Sequence, residues 1–270
     1  MTCLIYVYAI LPATARAMAT LARGGVTGID GGVVGSVAAG DLAAAVSEVS
    51  SAEFEAEPLN RLVHSMDWLG PRAAQHQQVN AILFGETDAL APLSFGAVYR
   101  DRAGVSRMLT TQQQPLAAAL QRLRGRAEWV ASLQRDAKLA LTSLEQQNAA
   151  LRDLRSAIAS GAPGRAYLLA RQVETVQRRE LLRLDGQAVA ALDALIHGTD
   201  ATYAESLEAG SANGLLARLS MLAPREAEPA LLSTAESYRQ QWLPLGYELR
   251  LTGPWPAYRF SRQEAELLRV

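Results

Sequence analysis

Residues 246–260 constrain the chain more tightly than any other stretch. Tyr247, Leu249 and Leu251 alternate with Glu248, Arg250 and Thr252, the two-residue period of a strand with one buried and one solvated face. At Gly253 the pattern changes. Pro254 and Pro256 have no amide hydrogen and push the residues before them toward extended backbone, so residues 253–257 are expected to leave the sheet as a stiff, polyproline-like segment. That segment carries Trp255, Tyr258 and Phe260. The chain has four tryptophans, eight tyrosines and four phenylalanines, and three of these sixteen rings within six positions need a reason. Two readings stand side by side: the rings are glue that closes one domain over another, or they form a docking surface for a partner.

At 270 residues and 49% hydrophobic composition, the chain can bury a sizeable core, and its length suits two domains or one large one. Gly125 is the expected boundary. Before it stand 9 arginines against 10 acids; after it, 16 arginines and Lys138 against 17 acids. Neither half is a basic module for nucleic acid. Cys3 is the single cysteine, so no intramolecular disulfide can form, and a reducing cytoplasm is the natural setting. The apolar run 3–11 has no basic residue before it and ends at Pro12. It does not read as a signal peptide and is too short to cross a bilayer.

Residues 3–11 read as a central strand buried on both faces. Residues 24–40 hold seven glycines, yet contain no GxGxxG, and no Walker A sequence surrounds the sole lysine, Lys138. Turns around a short strand at Val33, Val34 and Val37 fit better, with a second strand over 41–49. A helix is expected from Pro58, broken at Gly70 and Pro71, then a second to about Phe84 with Val79, Ile82 and Leu83 inward. Residues 93–99 read as a strand with Gly96 marking a bulge or close backbone approach. Helical spacing follows from Val105 to Leu123.

Beyond Gly125, Ala127, Trp129, Ala131 and Leu133 alternate as a strand. Residues 136–165 form a helical insertion whose stripe of Leu141, Leu144, Leu151, Leu154 and Ile158 has coiled-coil spacing, interrupted at Gln147 and Asn148. A second long helix, residues 165–197, folds back on it. Strands at 214–222 and 246–252 flank a helix over 228–242. The expected fold class is therefore α+β in two domains: an N-terminal mixed sheet with helices over 1–125, and a C-terminal modified ferredoxin-like sheet, one strand short, with a long helical hairpin over 126–270, ending in the aromatic tail 253–270.

Chemistry is thinly supplied. His64, His76 and His197 are the only histidines, none in an HExxH pair, and no GxSxG elbow occurs. No catalytic, cofactor or metal residue is assigned, and the expectation is a protein that is not an enzyme. The competing reading is an enzyme with an unrecognised pocket, on the ferredoxin-like domain around Glu128 and Trp129 or else around His76.

The tail Leu251-Thr252-Gly253-Pro254-Trp255-Pro256-Ala257-Tyr258-Arg259-Phe260 closely resembles the C-terminal signature of the GvpL/GvpF gas vesicle protein family, usually LTGPWPPYSF. Further matches follow in the family's order: Tyr6-Val7-Tyr8-Ala9-Ile10, residues 40–47, Trp68-Leu69 with His76, Leu93-Ser94-Phe95-Gly96-Ala97-Val98-Tyr99, Glu128-Trp129 and Gly164-Arg165-Ala166-Tyr167. Gln77 replaces a usual acid, and Ala257 and Arg259 replace Pro and Ser. The resemblance implies a cytoplasmic, vesicle-associated accessory or minor structural protein. Its implied partners are the apolar gas vesicle shell protein, kept from aggregating during nucleation and growth, and other accessory proteins, with no cofactor, nucleic acid or membrane. Phe95, Trp129 and Tyr167 join Trp255, Tyr258 and Phe260 as candidate partner-binding or domain-interface residues.

Overall fold

The computed structural model describes residues 3–205 and 214–265. Its contacts divide the chain into two compact units: residues 1–128 with 254–270, and residues 129–253. The aromatic tail thus groups with the first unit, whereas the sequence pattern leaves it at the end of the second. Residues 266–270 of that tail lie outside the described residues.

The first unit is built on β1 (Cys3–Pro12). Its apolar run is buried from Ile5 to Leu11 because it lies inside a sheet ordered β2-β3-β1-β4. Helix α1 (Arg16–Ala22) precedes β2 (Gly35–Ala39) and β3 (Leu42–Ser50). β3 pairs along the whole of β1, from Cys3↔Ser50 to Pro12↔Leu42, with a register shift between Val7 and Ala9. The sheet is antiparallel in each of its pairings and not mixed. Burial on both faces comes from side chains packed above and below the sheet, Phe54, Val79 and Leu83 among them, and not from the direction of the neighbouring strands.

The glycine-rich segment between α1 and β2 folds as turns. A Cβ on Gly28 would stand 2.2 Å from Tyr8 Oη, so only glycine lets this backbone approach, and the next amide, Ile29 N–H, donates to that hydroxyl at 2.9 Å.

Helices α2 (Ser51–Phe54), α3 (Ala56–Leu62) and α4 (Met66–Glu86) follow. The helix break falls at residues 63–65, and α4 runs straight through Pro71. An interior proline costs about 3 kcal/mol, but a 21-residue helix anchored by His76, Val79, Asn80 and Leu83 gains more from packing than that local loss. Ile82, expected inward, is partly exposed; Asn80 is fully buried instead. The expected strand 93–99 is two short ones, β4 (Ala91–Pro92) and β5 (Val98–Tyr99). Each is tied to β1, Leu93 N–H donating to the Tyr8 carbonyl and Val7 N–H to that of Ala97, with a turn between. Helices α5 (Arg102–Thr111) and α6 (Gln113–Leu123) complete this part.

β6 (Arg126–Arg135) leads into the second unit with the expected alternation, Trp129, Ala131 and Leu133 buried. The helical insertion is α7 (Ala137–Gln147) and α8 (Ala149–Ala159), parted at Asn148, whose side chain caps α8 by accepting from Leu151 N–H. The return helix α9 (Pro163–Ala190) packs on it through Leu144, Leu151 and Val173, with Leu154, Ile158, Val176, Leu181 and Leu184 around them. After α10 (Asp193–Ile196) comes β7 (Ala201–Ala204), the strand that the sequence pattern lacks. Four residues, mostly exposed, give too short a pattern to read. β7 pairs antiparallel with β8 (Leu215–Pro224); α11 (Glu228–Trp242) and β9 (Tyr247–Trp255) follow. The order β7-β8-β6-β9 completes the βαββαβ plan of a ferredoxin-like sheet.

β9 does not leave the ladder at Gly253 but runs to Trp255. It lies at the sheet edge, where a proline forfeits no hydrogen bond on its open side. Its entry is fixed by Gly246, at φ +87°, where a Cβ would fall 2.5 Å from Ala140 N. Its carbonyl accepts from Asp136 N–H at 2.8 Å.

Gly246→Ala is therefore expected to destabilise the second unit by more than the ~1–2 kcal/mol of a left-handed non-glycine residue, since α7 must also shift. Urea unfolding followed by tryptophan fluorescence measures this; a loss below about 0.5 kcal/mol contradicts the constraint.

Candidate functional site

The tail is held in the first unit by a set of hydrogen bonds from distant parts of the chain. Helix α12 (Tyr258–Ala265) packs on α6 and β4. Asn80 Nδ2 donates to Tyr258 Oη at 2.8 Å. Arg259 N–H donates to Glu128 Oε2 at 2.8 Å, and Ser261 Oγ to the Pro92 carbonyl at 2.8 Å. Arg122 donates to the Phe260 carbonyl. Phe260 is only 7% exposed and Ala257 and Ser261 are buried. Two of the three tail aromatics therefore belong to the fold of this unit. Trp255 is different, with 49% of its surface open to solvent.

Behind Tyr258 lies a buried aromatic and polar knot. His76 Nδ1 is 2.9 Å from Tyr6 Oη, and its Nε2 is 3.1 Å from Asn80 Nδ2. Tyr6 Oη also accepts Gly96 N–H at 3.2 Å, and Tyr8 Oη meets Ser47 Oγ at 2.7 Å. The His76 ring is flanked by Tyr6, Tyr8, Phe95 and Tyr258 with centroids 5.7 to 6.0 Å away. Thus Phe95 and Tyr258, singled out from sequence, both pack against one histidine ring.

Each titratable group in this knot is held neutral. Burial pushes His76 down to about 4, only partly offset by a hydrogen bond with the Leu93 backbone. A doubly protonated ring would also turn an N–H toward the amide N–H2 of Asn80, donor against donor. Burial pushes Tyr258 up to about 12 against the hydrogen bond from Asn80, and raises Tyr6 further. Such a set orients and holds; Glu128, one of the residues around which the competing reading sets an unrecognised pocket, accepts the Arg259 amide and is buried.

The other residues singled out belong to the second unit. Trp129 is buried in its core at 1% exposure, while Tyr167, near the start of α9, is 64% exposed. A groove of about 400 Å³ lies along this unit's sheet, lined by Val130, Ser132, Gln134, Leu215, Arg218, Arg250 and Thr252. The lining brings two arginines together with neutral polar groups. Among the described residues no three of His, Cys, Asp and Glu converge as a metal site, and no helix is long and apolar enough to cross a membrane. Sequence reasoning missed Asn80, Glu128 as a tail ligand, and Ser261. Asn80 left a trace: it stands one helical turn from His76, beside Val79 and Leu83 on the buried face, where an amide needs partners.

Two measurements check this construction. Between about pH 6.5 and 4 the unfolded chain protonates His76 and the folded chain does not, so stability should fall as pH falls through that window. The loss is on the order of 3 kcal/mol at 1.36 kcal/mol per pH unit; comparing urea midpoints from pH 7 to 4 for wild type and His76→Gln should show a flatter slope in the variant. Phe260→Ala should cost about 3–5 kcal/mol as a buried large-to-small change, whereas Trp255→Ala should cost much less. Equal losses in thermal unfolding contradict the division between a clasping and an exposed ring.

Comparison with known proteins matches this layout throughout. The family model for gas vesicle synthesis protein GvpL/GvpF matches residues 4–262. Gas vesicle protein L of Streptomyces sp. (strain CB03234) is 30% identical over 230 residues, covering 82% of this chain and 80% of that protein. The fold is shared with the crystal structure of GvpF from Anabaena sp. PCC7120, at TM-score 0.66 and 18% identity over 96% of both chains. GvpF from Microcystis aeruginosa superposes at TM-score 0.64 and 19% identity, covering 96% of this chain and 98% of that one. The chain belongs to the GvpL/GvpF family of gas vesicle synthesis proteins.

Proposed function

We propose that this protein is a non-enzymatic assembly factor that binds the gas vesicle shell subunit and limits its aggregation while the vesicle nucleates and grows. It acts in the cytoplasm, associated with the vesicle and with other accessory proteins. Family membership sets the context. The observation that carries the reading is large apolar side chains left in water on two separate parts of the chain: Trp255 at the tail, and Tyr167 with its neighbour Leu168 on α9. A folded protein gains nothing from exposing such rings, and they are the residue types that anchor partner contacts. The knot around His76 serves this role indirectly, by fixing the tail that displays Trp255.

The test combines capture and scattering. Immobilised wild-type protein should retain purified shell subunit and slow its aggregation by light scattering. The Trp255→Ala/Tyr167→Ala double variant should keep its unfolding midpoint within about 0.5 kcal/mol, as for surface positions, and lose capture by about tenfold or more, since anchor truncations cost ≥ 2 kcal/mol. Undiminished capture by the folded double variant would remove these two rings from the docking surface, and a deletion strain that still makes normal vesicles would end the proposal.

A further inference from the structure

Helix α9 has a second organised face. Val173, Val176, Leu184 and Ala188 turn toward the helical hairpin and the sheet. On the other side, Leu168, Thr175, Leu182 and Val189 recur every seven residues, a spacing that keeps them within an arc of about 60° on a straight helix. Leu168 is 68% exposed and Leu182 66%, with Tyr167 beside the start of the stripe and Val189 at its end, also exposed.

Arginines border the stripe. Arg171, Arg178, Arg179 and Arg183 are all exposed. Of the three acids of α9, Glu174 is exposed between Arg171 and Arg178 and offsets part of their charge, while Glu180 and Asp185 are engaged by other groups. Glu180 is a half-buried carboxylate already bonded to Arg179 at 3.1 Å and Arg183 at 2.9 Å. Asp185 is taken by Arg135 and by Tyr247 Oη at 2.9 Å. Arg171 lies over the Tyr167 ring, 6.0 Å from its centroid, and neither it nor Arg178 makes an ion pair among the described residues. The outward face thus carries Leu168, Leu182 and Val189 with Thr175 among them, and is net cationic along its edges.

We propose that this face of α9 binds an acidic amphipathic helix of a partner protein. Leu168, Leu182 and Val189, with Thr175 at the intervening heptad position, fit the seam of one facing helix, and guanidinium groups pair with carboxylates two bonds at a time. A second copy of this chain would bring arginines against arginines. An anionic bilayer is a poorer match, because one apolar residue per heptad gives a seam too narrow to sink into the headgroup layer. The proposal extends the docking reading at Tyr167 by naming the chemistry of what docks.

The probe is a fluorescently labelled synthetic amphipathic helix of about four heptads, with leucine in its seam and glutamate on both flanks, compared with the same peptide bearing lysine. Anisotropy titration of the full chain should show at least tenfold tighter binding of the glutamate peptide, weakening as salt rises. Leu168→Ala/Leu182→Ala should reduce that binding tenfold or more, and Arg171→Glu/Arg178→Glu should reverse the preference toward the lysine peptide. Circular dichroism of each variant should match wild type, as expected for exposed positions. Equal affinity for the two peptides, insensitivity to both double substitutions, or binding to phosphatidylglycerol vesicles that the glutamate peptide fails to compete would overturn the proposal. Shell capture reports separately: peptide binding without shell capture removes the shell reading and leaves this one, and the converse removes only this one.

Discussion

The hydrogen bond from Asn80 to Tyr258 joins residues 178 positions apart, and the first unit is complete only when it forms. With Ser261 on Pro92 and Arg259 on Glu128, it makes the tail an interior part of a unit whose other residues come from the start of the chain. Such a long closure is slight as a stability cost, since loop entropy grows only with the logarithm of length. It matters for order of events. Strands β1 and β3 can pair early, but the ring of Tyr258 against His76 waits for a residue far along the chain.

Why a polar knot should sit where apolar packing would do is answered by its geometry. A leucine core tolerates small slips, whereas Tyr6, His76, Asn80 and Tyr258 are linked by directional hydrogen bonds, and a misplaced tail would break the one from Asn80 to Tyr258. Keeping all of them neutral avoids the larger cost of a buried charge. The same logic places Gly28 against Tyr8: the backbone comes so close that the hydroxyl serves both Ser47 and Ile29.

What could be read from the sequence was what repeats locally. The alternation in β6, the doubly buried run of β1 and the Asn148 interruption in the insertion all follow from patterns a few residues long. Pro71 misleads because the packing of a 21-residue helix outweighs a local penalty, and β7 is missed because four residues carry no period. The tail's prolines mark a real change of direction, yet the strand persists to Trp255 since it is an edge. Which aromatic is anchor and which is free was illegible for another reason: Tyr258 meets Asn80 and His76, residues far away in the chain, and Trp255 is left exposed. Tyr167 stood out in sequence through its family motif, while Leu168 and Leu182 did not, because helical spacing alone cannot say which of two apolar stripes finds a partner.

The account rests on the tail being a structural member of the first unit, and a chain ending at Gly253 tests it most directly. Hydrogen exchange by mass spectrometry should show β1, β3 and α4 losing protection in the truncated protein while β6, β8 and α11 keep theirs. Unchanged protection of β1 and α4 without the tail would contradict it.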